Sequence, residues 1–144
     1  DYEYLDLSTT NMTHQELLEV LSDLSNDTML KQINLSKKIK LEDAIEPAIM
    51  EDIIFGLKEA ISTNKVLIAL DFEGNYLGDY GPCNGSRHRL NYLKELTNSL
   101  IESTIKRIDI SNNNILGNQK RVYSSFADFL RKYCAGRCEV LRCC

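Results

Sequence analysis

The sequence predicts an α/β repeat architecture in which short strands and amphipathic helices alternate and stack side by side. Three observations carry the prediction. The stretch Leu67–Gly78 fits the pattern L-x-x-L-x-L-x-x-N-x-L. The stretch Ile105–Gly117 fits it again, with apolar residues and one Asn at the same offsets. Between such stretches, apolar residues recur at spacings of three and four, the period of a helix with one buried face.

The units follow in order. The first places Tyr2, Leu5, Leu7 and Met12 in the apolar slots, with Thr10 where Asn is expected. Thr13-His14-Gln15-Glu16 then forms a capping box, and Leu17, Leu18, Leu21 and Leu24 stripe the helix behind it. The second unit has Leu30, Ile33 and Leu35, but Lys38 stands in the Asn slot and the pattern dissolves there. An irregular insertion, Ile39–Ile45, follows. Pro47, acceptable in a first turn, opens a helix striped by Ile49, Ile53, Ile54, Leu57, Ala60 and Ile61. The third unit runs from Leu67 to Gly78, then a turn-rich loop over Asp79–Ser86, then a helix carrying Leu90, Leu93, Leu96, Leu100 and Ile101. The fourth unit is followed by a helix with Val122, Phe126, Phe129, Leu130 and Tyr133, and a last partial unit has Cys138, Leu141 and Cys143. Residues 1–144 thus read as one domain of about five units starting near 2, 30, 67, 105 and 138. In each L-x-L core, alternate side chains point to one face, and the Asn amide is suited to bonding backbone groups in the turn that follows.

Composition narrows the function. In 144 residues there are 17 Lys plus Arg and 21 Asp plus Glu, a net charge of −4, with 43% hydrophobic and 26% charged residues. These values suit a folded globular chain and exclude a disordered one. No apolar run approaches the roughly 18 residues of a membrane span, and the mild acidity argues against nucleic-acid or anionic-membrane partners. The chain opens at Asp1 without an initiator Met or a secretory pattern and starts and stops on strands, so a segment of a longer repeat array and a monomer are both expected readings.

On these motifs the chain resembles the leucine-rich repeat family, and its ribonuclease-inhibitor-like subclass in particular. The resemblance spans nearly the whole chain and is strongest in the third and fourth units. It implies a right-handed α/β solenoid, with a curved parallel sheet on the concave side and helices on the convex side. It also implies protein binding rather than catalysis. A narrower likeness, over Asn64-Lys65-Val66-Leu67 and Asp71–Gly78, is to the repeats of tropomodulin, which cap actin filaments. The Ran GTPase-activating protein shares the subclass, but its partner-facing constellation is not found in this sequence.

If the apolar slots point inward, the alternating residues face the concave side. That surface comprises Tyr4, Asp6 and Ser8; Gln32, Asn34 and Ser36; Ala69, Asp71 and Glu73; Arg107, Asp109 and Ser111; and Val140 and Arg142. Its middle members form a ladder, Asp6, Asn34, Asp71, Asp109 and Arg142, with neighbours about 4.8 Å apart. The expected binding residues are Tyr4, Asp6, Gln32, Asn34, Asp71, Glu73, Arg107, Asp109 and Arg142, together with Asp79, Tyr80 and Asn84 on the rim loop. Clustered carboxylates suit a basic protein partner. Against this, Asp at that slot is also common in the family for structural reasons, and Arg107 and Arg142 partly neutralise the patch.

No catalytic residue, metal or cofactor is expected. His14 and His88 have no companion motif, and phosphate-loop, nucleophile-elbow and zinc-protease signatures are absent. Cys83, Cys134, Cys138, Cys143 and Cys144 are odd in number, and two occupy apolar slots, which reads as packing rather than a zinc site. Glycosylation triplets occur at Asn11, Asn26, Asn34 and Asn84. Because Asn34 falls in a predicted strand and the cysteines are unpaired in number, a cytoplasmic location is expected.

Overall fold

A computed structural model of the protein describes residues 3–39, 47–75, 96, 98–113 and 140–142. Every L-x-L core within them is a three-residue strand. These are β1 (Tyr4–Asp6), β2 (Gln32–Asn34), β3 (Ala69–Asp71), β4 (Arg107–Asp109) and β5 (Val140–Arg142). The strands pair in parallel and in sequence order, β1-β2-β3-β4-β5. Parallel neighbours require a crossover between them, and helices occupy the described parts of the first three crossovers, β1 to β2, β2 to β3 and β3 to β4.

Helix α1 (His14–Asn26) begins as the sequence predicts. The Thr13 hydroxyl accepts from the Glu16 N–H at 3.1 Å, and the Glu16 carboxylate accepts from the Thr13 N–H at 3.1 Å. Helix α2 (Pro47–Thr63) starts on its proline and packs against α1. Residues 98–102 are helical as well. No helix among the described residues is long and apolar enough to cross a membrane.

One core joins these layers. Leu17, Leu21 and Leu24 of α1 meet Ile53, Ile54, Leu57, Ala60 and Ile61 of α2, above the strand residues Ile33, Leu70 and Ile108. The flanking slots Leu30, Leu35, Leu67, Phe72, Ile105 and Ile110 are buried too. Strand β1 departs from expectation. Its slot residue Leu5 is 41% exposed, whereas its register partners Ile33, Leu70 and Ile108 are 2%, 2% and 3% exposed. The reason is position: β1 is the edge of the sheet, so Leu5 has a neighbouring strand on one side only.

Each helix-to-strand junction among the described residues is fastened by a short polar side chain. Asp27 Oδ1 accepts from the Met29 and Leu30 N–H groups at 2.8 and 2.6 Å. The buried Asn64 amide does the same for Val66 and Leu67 and donates to Leu24 O at 2.8 Å, tying its own unit to the one before. Ser103 accepts from the Ile105 N–H and donates to Leu100 O.

Candidate protein-interaction face

The strand register brings the predicted binding residues into two rows. Tyr4, Gln32, Ala69, Arg107 and Val140 lie in one; Asp6, Asn34, Asp71, Asp109 and Arg142 lie in the other. Along β1–β4 the rows line a groove of about 430 Å³ whose walls include Tyr4, Gln32, Asn34, Ala69, Asp71, Arg107 and Asp109. Ala69, the smallest member, sits between Gln32 and Arg107. Of Arg142 and Val140 only the strand position is described, and the rim residues Asp79, Tyr80 and Asn84 lie outside the described residues, as do all five cysteines and His88. Among the described residues no group of three or more His, Cys, Asp or Glu side chains is arranged to hold a metal ion.

The second row has a structural task, in keeping with the structural reading of Asp at that slot. At the ends of β1 to β4 the chain turns, and the ladder side chain accepts from the N–H two residues on. Asp6 accepts from Ser8 at 2.9 Å, Asn34 from Ser36 at 3.0 Å, Asp71 from Glu73 at 3.0 Å and Asp109 from Ser111 at 2.9 Å. Either Asp or Asn can form this turn. Three of the four described positions nevertheless carry a charge that the turn does not need.

The electrostatics differ along the ladder. Burial raises Asp71 above the ordinary carboxylate range; the Glu73 N–H opposes this, and the charges of Asp109, Glu73 and Asp6 add to it. Exposed Asp6 is instead held below that range by the Ser8 hydroxyl and N–H, with Lys38 contributing. Glu73 accepts from the Asn112 amide at 3.0 Å. Arg107 stands out in the other row, since its Nε is buried and has no hydrogen-bond partner among the described residues.

Along the same edge of the sheet, one turn further on, runs a second set of rungs. The buried Asn75 amide donates to Phe72 O in its own turn at 3.1 Å and to Leu35 O of the preceding unit at 2.9 Å. Its Oδ1 accepts from the Lys38 and Ile39 N–H groups at 2.7 and 2.9 Å. Asn113 repeats the arrangement, donating to Ile110 O and Phe72 O and accepting from the Asn75 N–H. The Asn slot therefore binds each unit to the one before it, not only its own turn.

Lys38 corrects the expectation that the second unit loses the pattern. The residue is buried, and its ammonium donates to Ser8 O at 3.0 Å and Thr10 O at 2.7 Å in the first unit. Lysine supplies the donors of the Asn slot but no acceptor. The Thr10 N–H, which would bond an amide oxygen there, turns to Leu7 O at 3.1 Å instead. A further signal marks the same turn in all three units. The residue before the slot has positive φ: 56° at Lys37, 69° at Gly74 and 55° at Asn112. These positions align when the units are superimposed on the slot, so the left-handed residue could have been read from Gly74 and Asn112.

Comparison with known proteins supports the fold. No protein-family model matches the chain, and no curated protein does. Among solved structures it is similar to actin-binding site 2 of leiomodin-1, with a TM-score of 0.60 at 14% sequence identity, over 98% of this chain and 69% of that one. At that identity the likeness speaks for a shared α/β architecture with a parallel sheet.

Proposed function

We propose that this chain is a leucine-rich-repeat solenoid of ribonuclease-inhibitor type that binds a protein partner on its open sheet face. The carrying observation is the groove over β1–β4, where rows of polar and charged side chains stand away from the core on a short-stranded parallel sheet. Such a face offers shape and charge to a partner, and the reading is of a binding module. The likeness to an actin-binding site of leiomodin-1 favours a cytoskeletal partner, with actin the first candidate. The partner's contacting surface would carry basic groups opposite Asp71 and Asp109.

Affinity capture with mass spectrometry, followed by sedimentation with actin filaments and with monomeric actin, tests this reading. Actin as the main capture supports the cytoskeletal form. A small GTPase would redirect it to a regulatory role, and capture of no protein at all would defeat it.

A further inference from the structure

Strand β1 is an open edge. All three of its residues are exposed, whereas β2, β3 and β4 each bury the middle residue and partly cover the two beside it. Leu5 occupies a slot that is core in those three strands and stands in solvent here. The backbone is open as well. Glu3 O accepts from the Gln32 N–H, and the Leu7 N–H donates to Asn34 O, so residues 3 and 7 bond toward β2. Strand alternation turns the N–H and C=O groups of Tyr4 and Asp6 the other way, where no strand lies among the described residues. An apolar side chain beside unpaired backbone groups is a template for a further strand.

Charge selects which strand. Residues 1–30 hold seven Asp or Glu and no Lys or Arg. Of these acids Glu3, Asp6, Glu16, Glu19, Asp23 and Asp27 are exposed. Lys31 pairs with Glu3 at 3.2 Å and offsets one of them. The opposite end of the sheet is β5. Residues 118–144, which lead into and contain β5, hold six Lys or Arg against two Asp or Glu. Two β1 edges brought together would set acid against acid, which is unfavourable; a β5 edge brought to a β1 edge joins opposite charges. That contact also continues the register by which each strand follows the last. Val140 falls beside Tyr4, Leu141 beside Leu5 and Arg142 beside Asp6, as the same positions do between neighbouring strands within the chain. We infer that β1 of one copy docks in parallel on β5 of a second copy, so that copies stack head to tail. Such a contact joins two different surfaces and does not close on itself. The groove over the sheet takes no part in it, so this self-association and the partner binding proposed above stand or fall separately.

Sedimentation velocity of the full chain, in a thiol reductant that prevents disulfide links between copies, tests this. In about 0.02 M salt the average mass should climb with protein concentration past that of a dimer, and about 0.5 M salt should weaken association at least about tenfold. Leu5→Lys, a change at an exposed position that puts a charge on the edge, should leave the chain monomeric. Arg142→Asp, which gives β5 the ladder residue of β3 and β4, should do the same. Mixed in equal amounts, the two variants should form a dimer and nothing larger, because each keeps one working edge. Should Arg142→Asp not fold, Leu5→Lys added to the parent chain serves instead, and should shorten the stacks by capping one end. Association that salt does not weaken, association retained by Leu5→Lys, or variants that stay monomeric when mixed would overturn the inference. So would growth that stops at a dimer and persists in Arg142→Asp alone, the mark of two paired β1 edges. A parent chain that stays monomeric up to about 1 mM would overturn it too, and leave the β1 edge to a partner of another kind.

Discussion

Two edges of one sheet face use polar residues in opposite ways. At the turn edge, Asn75 and Asn113 are buried and their amides bond on both sides, backwards to the preceding unit and inwards to their own turn. Among the residues that line the groove, Arg107 has a buried nitrogen with no partner among the described residues, and Asp71 is pushed toward its neutral form by burial and like charges. Buried polar networks stabilise when fully satisfied and cost when they are not. The turn edge therefore holds the units together, and the groove is the surface proposed to meet a partner. Substitutions should separate the two: those at the turn edge change stability, and those in the groove change binding.

The largest effect is expected from Asn75→Ala. It strips partners from the Lys38 and Ile39 N–H groups and from Leu35 and Phe72 carbonyls, and should cost about 3–5 kcal/mol by denaturant unfolding. Lys38→Met comes next, at about 1–3 kcal/mol, because the charged donors are lost but Thr10 is exposed enough for water to take their place. If the two variants were equally destabilised, the distinction between a two-way amide rung and a donor-only lysine rung would fail.

Asp71→Asn should act in the other direction. The amide can keep the turn, as Asn34 does at 3.0 Å to the Ser36 N–H, while removing a raised carboxyl. A carboxyl whose folded pKa is raised binds protons more readily folded than unfolded, so its contribution is fully present below the unfolded aspartate value of about 3.9 and is lost as pH rises through the folded value. Asp71→Asn should thus leave stability nearly unchanged below that window and raise it at pH 7, which thermal melts at the two pH values would show. A variant gap that shrinks with rising pH would contradict the sign. The smallest effect is expected from Lys37→Gly. Relieving a lysine at φ 56° should stabilise by about 0.5–1 kcal/mol. Gly74→Ala should destabilise, since its φ is 69° and a Cβ there would lie 3.0 Å from Lys37 Cγ.

The contrast also explains what could be read from the chain alone. The strands were legible because apolar residues at fixed offsets, such as Leu67, Leu70 and Phe72, report a buried face directly. The capping box at Thr13–Glu16 was legible for the same local reason. Long-range roles were not. Nothing local distinguishes Lys38 from a surface lysine, because its partners Ser8 and Thr10 lie 30 and 28 residues away. Leu5 reads as core by its offset, but its exposure depends on whether a strand lies beyond it. The two rows follow from alternation once the repeat is aligned. Their division into turn-forming and partnerless atoms did not, since that depends on which carboxylate oxygen faces the backbone.

The most direct test of the account is the double variant Asp71→Asn/Asp109→Asn, measured for both partner capture and melting temperature. Lysine at these sites would remove the turn acceptors as well as reverse the charge, whereas asparagine removes the charge alone. Capture of the partner should fall by at least about tenfold while the melting temperature at pH 7 is unchanged or higher. Undiminished capture by a variant that melts no lower than the parent chain would contradict it.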